Sequence, residues 1–260
     1  SGYTYMNGEP NGKPVKMPVA LMDILAGHQL KEAVLLALLN KERTGKGQYI
    51  EVSLIKSGIA SLANQASNWL VGNTIPMQMG SDHPNIVPYG TIYYTSDKKP
   101  LVLAVGNDKQ FSDLCSALGK PDLAKNPNFS NNQNRVVNRI ELNAMLQELI
   151  GKIDRDQILK ILEKKSVPAG GVYNLQEVFE LPEAKELVMD SQTGSGVSIK
   201  GLRTVAFTFD DWNKPIQISA PPHYGEHTVQ ILEKLGYSAE NIQCLIYKKL
   251  HQKNMQENYM

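Results

Sequence analysis

The chain has 260 residues, 42% of them apolar and 20% charged, with a net charge of +1. That balance excludes a largely disordered polymer, and without a concentrated basic surface it argues against nucleic acid or an anionic membrane as the main partner. No apolar run approaches the ~20 residues that cross a bilayer, and no charged-then-apolar opening resembles a signal peptide.

Residues 1–14 are rich in Gly, Pro and Asn. They predict a loop with no element before it, as in the middle of a longer polypeptide. Ile24 to Lys41 has helical periodicity, with Leu30, Val34, Ala37 and Leu38 on one stripe and Asp23 at its start. Gly45, after the basic Lys41 and Arg43, predicts its end. Gln48 to Leu54 alternates and predicts a half-buried strand. Ser57 to Val71, rich in Ala, Asn and Gln, predicts a second helix.

Composition shifts near Gly72, and Gly72 to Tyr89 forms a long irregular run with Pro76, Pro84 and Pro88. Thr91 to Thr95 and Leu101 to Val105 predict a hairpin, followed by a helix over Lys109 to Leu118 and an Asn-rich loop from Asn126 to Asn134. Asn138 to Ile150 and Arg155 to Lys165 are amphipathic helices. Val167 to Val172 is a tight turn or strand. Leu175 to Phe179 predicts a helix that Pro182 to Val188 continues. Gly196 to Ile199 and Val205 to Phe209 predict a second hairpin. Pro215 to Pro222 is a linker, and His227 to Leu235 is a helix. Ser238 caps a last helix reaching about Leu250, before a polar tail from His251 to Met260.

Cys115 and Cys244 lie far apart in helix-like apolar patterns, so two reduced, packed thiols are expected. The five histidines show no metal-ligand spacing, and no metal is expected. Asp23, read from its neighbours alone, is a helix N-cap; the alternative is a nucleophile whose charge the helix dipole favours. Thr44-Gly-Lys-Gly-Gln48 closes a helix rather than opening one, so it reads as a C-cap turn and not a phosphate loop. His83, in Ser81-Asp-His-Pro-Asn-Ile-Val-Pro-Tyr89, is either an acid or base or a hydrogen-bonding loop residue. Gly106 and Asn107 fit either a lid over a substrate or a plain strand-to-helix turn.

Several of these segments, taken in order, resemble the class III coenzyme A transferases. They are Val19 to Gly27, Lys41 to Gln48, Asn64 to Asn68, His83 to Tyr89, Ala104 to Phe111, Arg135 to Arg139, Val167 to Gly170 and Pro221 to Thr228. The set spans nearly the whole chain, and its order is more specific than any one piece. The resemblance implies that Asp23 is a nucleophilic aspartate and that coenzyme A, as acyl-CoA, and a small carboxylic acid are the substrates. It further implies that Leu54, His83, Gly106 and Asn107 are substrate-binding.

The implied fold is α/β. Residues 1–71 would be the remainder of a Rossmann-like large domain whose N-terminal half is missing, and that half would supply most coenzyme A contacts. Residues 72–190 would be a small α+β domain, and residues 191–260 a linker hairpin and C-terminal helices returning to the large domain. The resemblance implies an interlocked homodimer, or a heteromer with a chain supplying the missing half. The expected compartment is the cytoplasm, or the mitochondrion in a eukaryote. Two competing readings are an α-methylacyl-CoA racemase, in which Asp23 would act as acid and base, and an inactive remnant or partner subunit.

Overall fold

In the computed structural model of the chain, residues 1–194, 196–207 and 219–247 are described. The chain divides into two compact units, Ser1–Val172 and Tyr173–Met260.

The first unit opens on a short helix, α1 (Tyr3–Met6), where the sequence predicts only loop. The long helix α2 (Leu21–Thr44) begins earlier than its apolar periodicity suggests. It stops at Gly45, whose φ of 73° places it in the left-handed region and lets its N–H bond back to the Lys41 carbonyl at 2.8 Å. This is the glycine-closed end the sequence predicts. No residue of α2 is buried, and Leu35 and Leu36 are 60% and 68% exposed.

The predicted strand Gln48 to Leu54 does not form. Residues 46–53 belong to no sheet among the described residues. Alternation alone cannot make a strand, because its backbone groups need a neighbouring ladder. Leu54 instead begins a helix, α3 (Leu54–Ala60), whose first turn is capped by the Ser53 hydroxyl accepting from the Lys56 N–H at 3.5 Å. The predicted single helix over Ser57 to Val71 is broken. Ala63, at φ 51°, separates α3 from α4 (Asn64–Leu70).

After the expected long irregular segment comes a three-stranded antiparallel sheet. Its strands β1 (Tyr89–Tyr94), β2 (Pro100–Ala104) and β3 (Ala169–Gly171) lie in that order. Four helices follow β2: α5 (Asp108–Ala117), α6 (Asn132–Val137), α7 (Arg139–Ile150) and α8 (Arg155–Lys164). α7 packs on β1, and α8 packs on β3 and α5. Leu101 and Leu103 of β2 meet Phe111 and Leu114, Leu142, Leu146 and Ile150, and Ile158 and Leu162 in one buried core. Spacings of three and four along each helix place these side chains on one face, which is why the sequence predicts these elements well.

β1 is irregular between Tyr89 and Ile92. Gly90 there has φ 83°, and a Cβ on it would collide with the Ser81 carbonyl. Only glycine combines that backbone with so close an approach. We expect Gly90→Ala to destabilise the unit by about 1–3 kcal/mol, the cost of forced backbone shifts plus left-handed strain. Unchanged stability in urea titration would contradict this.

Between β1 and β2, Asp97 ties the hairpin turn to the start of α8. Its Oδ1 accepts from the Thr95 hydroxyl at 2.5 Å and from the Arg155 N–H at 3.1 Å, and Lys99 lies 3.2 Å from Oδ2. The Thr95 bond first, then the Arg155 and Lys99 contacts, hold the carboxyl at about 2, below its ordinary 3.8. A depressed carboxylate stabilises the fold above its unfolded value and loses that contribution as the pH falls through the folded one. Asp97→Asn is therefore expected to lower the melting temperature at neutral pH, with the gap to the parent closing between about pH 4 and pH 2. A gap independent of pH in scanning calorimetry would refute it.

The second unit has short helices α9 (Leu175–Val178) and α10 (Pro182–Lys185) and the two-stranded sheet β4 (Val188–Gln192) and β5 (Ser198–Leu202). Asn174 and Glu177 form a reciprocal capping box on α9. The sequence carries the α10 helix on to Val188, yet Val188 opens β4. The predicted hairpin likewise has the wrong second strand. β5 pairs with β4 upstream, Val188 against Leu202, and Val205 to Phe207 is no strand. β4 reads Val-Met-Asp-Ser-Gln, without the β-branched alternation that marks a strand. The end of that segment, Thr208 and Phe209, lies outside the described residues, as do 215–218 of the linker and 248–260 of the last helix and tail. α11 (Thr228–Lys234) forms as expected, and Ser238 caps a helix over 239–247 by accepting from the Asn241 N–H at 3.3 Å.

Candidate active site

Asp23 is the third residue of α2, not its N-cap, a position taken by Ala20. Its side chain is exposed, and no hydrogen bond or ion pair engages it among the described residues. The first-turn amides of the helix still favour its negative charge. Beside it, Gly27 has open space where a side chain would stand.

The neighbouring turn is fixed by a glycine the sequence reading passed over. α3 packs against α2, and a Cβ on Gly58 would lie 2.6 Å from the Met22 thioether and 2.9 Å from the Ser1 Cβ. Gly58 thus lets α3, which carries Leu54, approach the residue next to Asp23. Leu54 itself is 52% exposed. The signal for Gly58 was a small residue inside a helix, which is legible only once the partner helix is known.

His83 is half-buried in the segment before β1. Its N–H bonds the Tyr89 carbonyl at 2.9 Å, and its ring meets Tyr89 edge-on with centroids 5.3 Å apart. A group of carboxamides surrounds it. Asn68 and Asn85 exchange two side-chain bonds, each 3.2 Å. Asn64 reaches both His83 and Asn85 at 3.4 Å. Asn132 of α6 donates to the Asn85 carbonyl at 2.8 Å and accepts from the Val87 N–H at 3.2 Å. Two arginines hold the same segment from behind. Arg139 donates to the His83 and Pro84 carbonyls at 3.2 and 2.9 Å. Arg135, 0% exposed, donates to Val87 and Phe129 carbonyls at 2.8 and 3.0 Å. Burial, then the Arg139 charge, lowers the His83 pKa below its usual value.

Beside this group lies a cavity of about 320 Å³, lined by Met6, Gln65, Asn68, Ile75, Met77 and Met79 among others. Thioether and aliphatic groups share its lining with Gln65, Asn68, Thr74 and the Asp82 carboxylate.

Gly106 and Asn107 form the turn from β2 into α5. The Asn107 side chain accepts from the Gln110 N–H at 2.9 Å, and the Gly106 N–H donates to the Gln110 side chain at 2.8 Å. In this chain the pair is a helix cap. No hydrogen bond or ion pair joins Asp23 to Leu54, His83, Gly106 or Asn107 among the described residues. The structure does pack α3, which begins at Leu54, against α2, and places His83 next to α4.

Neither cysteine joins these residues. Burial pushes the Cys115 thiol up to about 12, which leaves it protonated and inert at neutral pH. Cys244 is exposed, contrary to the expectation of two packed thiols. Its helix offers that face no covering element among the described residues. Among those residues no group of three or more His, Cys, Asp or Glu side chains could hold a metal ion, and no helix is long and apolar enough to cross a membrane.

The chain belongs to CoA-transferase family III, whose model matches residues 1–228. It is 35% identical over 238 residues to a succinate–glutarate CoA-transferase from Agrobacterium fabrum, covering 90% of this chain and 58% of that protein. It is 33% identical over 239 residues to a human succinyl-CoA:glutarate CoA-transferase, covering 90% of this chain and 53% of that one. A solved CAIB/BAIF family protein from Brucella suis is 38% identical with a TM-score of 0.68, over 90% of this chain and 60% of that one. The chain therefore spans somewhat more than half the length of these relatives.

Proposed function

We propose that this chain carries the nucleophile of a CoA-transferase that moves coenzyme A from an acyl-CoA to a small carboxylic acid. The observation that carries the reading is Asp23: an exposed carboxylate in the first turn of α2, outside every hydrogen bond among the described residues, in a chain of this family. The Asp23 carboxylate attacks the thioester carbonyl. The C–S bond breaks, coenzyme A leaves as thiolate, and a mixed anhydride remains. The thiolate attacks the Asp23 carbonyl, releasing the donor acid and forming an aspartyl thioester. An acceptor carboxylate attacks that thioester and makes a second anhydride. The returning thiolate takes the acceptor acyl group and restores Asp23. Each step is an acyl exchange of the kind covalent catalysis makes easier.

In this reading Leu54, His83, Gly106 and Asn107 face the acyl group, and the cavity beside His83 offers thioether and aliphatic surface to the methylenes of an acyl chain. Substrates of the named relatives, succinate and glutarate, are the first candidates for the acid. Residues 1–71 would complete a large domain, with 72–190 as the small domain and 191–260 returning. The exposed leucines of α2 support a further polypeptide against it, in a homodimer or a heteromer.

Hydroxylamine tests the reaction. Added during turnover of the complete enzyme, it should convert Asp23 to a hydroxamate that mass spectrometry finds on that residue and only when acyl-CoA is present. A turning-over preparation whose Asp23 stays unmodified would exclude the covalent route and favour racemase-type proton transfer.

A further inference from the structure

His83 Nδ1 faces the backbone N–H of Asn85 at 3.1 Å. A backbone N–H only donates, so Nδ1 accepts, and a neutral ring then carries its proton on Nε2. Protonation at Nδ1 would set two hydrogens against each other and lose that bond. Nε2 lies 3.4 Å from Asn64 Nδ2, which also reaches the Asn85 side-chain oxygen at 3.4 Å. With Nε2 protonated, two N–H donors stand 3.4 Å apart, close enough for one oxygen atom lying to their side to accept from both.

The ring is set from outside its own segment. Arg139, on α7, grips two successive carbonyls, His83 and Pro84, with its two terminal nitrogens. That fork fixes the direction in which the peptide, and so the ring, is presented. The other charged group near by is Asp82, whose carboxylate is taken by the Thr91 hydroxyl at 2.5 Å and lies 3.9 Å from Arg139. From α4 the Asn64 carboxamide reaches the ring.

We propose that His83 is a hydrogen-bond donor rather than a base, that its Nε2–H and Asn64 together take a carbonyl or carboxylate oxygen of the acyl substrate, and that Arg139 is the residue that positions it. This deepens the reading above and rests on its placing the His83 segment against the acyl group. Partial burial and the Arg139 cation support it, since both oppose a charged imidazole.

Nitrogen-15 spectra of the histidine rings in the chain test it. We expect His83 to hold its proton on Nε2 at pH 8 and to become cationic only at a lower pH than an ordinary histidine. Arg139→Gln should raise that titration point, and Arg139→Lys should return it part of the way. Added glutarate, used as the probe, should move the Nε2–H signals. A ring protonated on Nδ1, an ordinary titration indifferent to Arg139→Gln, or Nε2 signals that glutarate leaves unmoved would each overturn the proposal. The wild-type tautomer stands as a test even if the Arg139 variants fail to fold. Hydroxylamine trapping at Asp23 decides the reaction separately, so the donor and the transfer chemistry can fail independently.

Discussion

Asp23→Ala should abolish transfer of coenzyme A while leaving the protein folded. The carboxylate is exposed and outside every hydrogen bond among the described residues, so its part in stability is its interaction with the first turn of α2. Such an interaction contributes about 0.3–1 kcal/mol, and alanine's better helix propensity offsets some of it. Transfer through an aspartyl anhydride, in contrast, has no route without the carboxyl group. Asp23→Asn removes the nucleophile with almost no change of shape and should be equally inactive. The measurement is steady-state transfer from succinyl-CoA by the complete enzyme, together with a thermal melt of each variant. Transfer at the parental rate in either variant would eliminate Asp23 as the covalent carrier. A large fall in melting temperature would show instead that Asp23 is structural.

Arg135→Met is expected to cost about 2–6 kcal/mol, the loss of donors to two buried carbonyls at about 1–3 kcal/mol each. The guanidinium is fully buried, bonds Val87 and Phe129 carbonyls, lies 2.7 Å from Asp108 and stacks 4.5 Å over Phe111. The ion pair contributes little of this, because Asp108 is 58% exposed on its side chain and water screens it. Asp108→Asn should therefore cost less than about 1 kcal/mol. Arg135→Lys keeps the charge but loses the planar fork, and should fall between the two. Urea unfolding of the three variants checks the order. An Asp108→Asn loss as large as that of Arg135→Met would show that the ion pair, and not the carbonyls, secures this region.

The helices α5, α7 and α8 and the β1–β2 hairpin were legible because each carries its own apolar periodicity and meets its partners within the same stretch of chain. Cys115, Leu142 and Ile158 sit on the faces their spacing assigns. Gln48 to Leu54 misled for the opposite reason. Its alternation is real, but a strand is a property of a pair, and no second strand meets it among the described residues. The break at Ala63 left no trace, since alanine gives no warning of a positive φ. β4 was hidden by its Asp, Ser and Gln, and so β5 was given a downstream partner. The candidate site was legible as single residues. Asp23 and His83 stood out as a carboxylate at a helix start and an imidazole in a proline-rich loop. What surrounds them was not legible. Arg139 lies 56 positions from His83 in sequence, and no local pattern announces that its fork closes on the His83 carbonyl.

The bare apolar surface of α2 has a practical consequence for anyone preparing this polypeptide. Twenty-four helical residues extend about 36 Å, and leucines at 35, 36, 38 and 39 meet water along that rod. Uncovered surfaces of this sort drive colloidal clumping. Yield should rise with co-expression of a chain that shields the rod, and light scattering at increasing protein concentration should reveal growing particles when the chain is purified by itself.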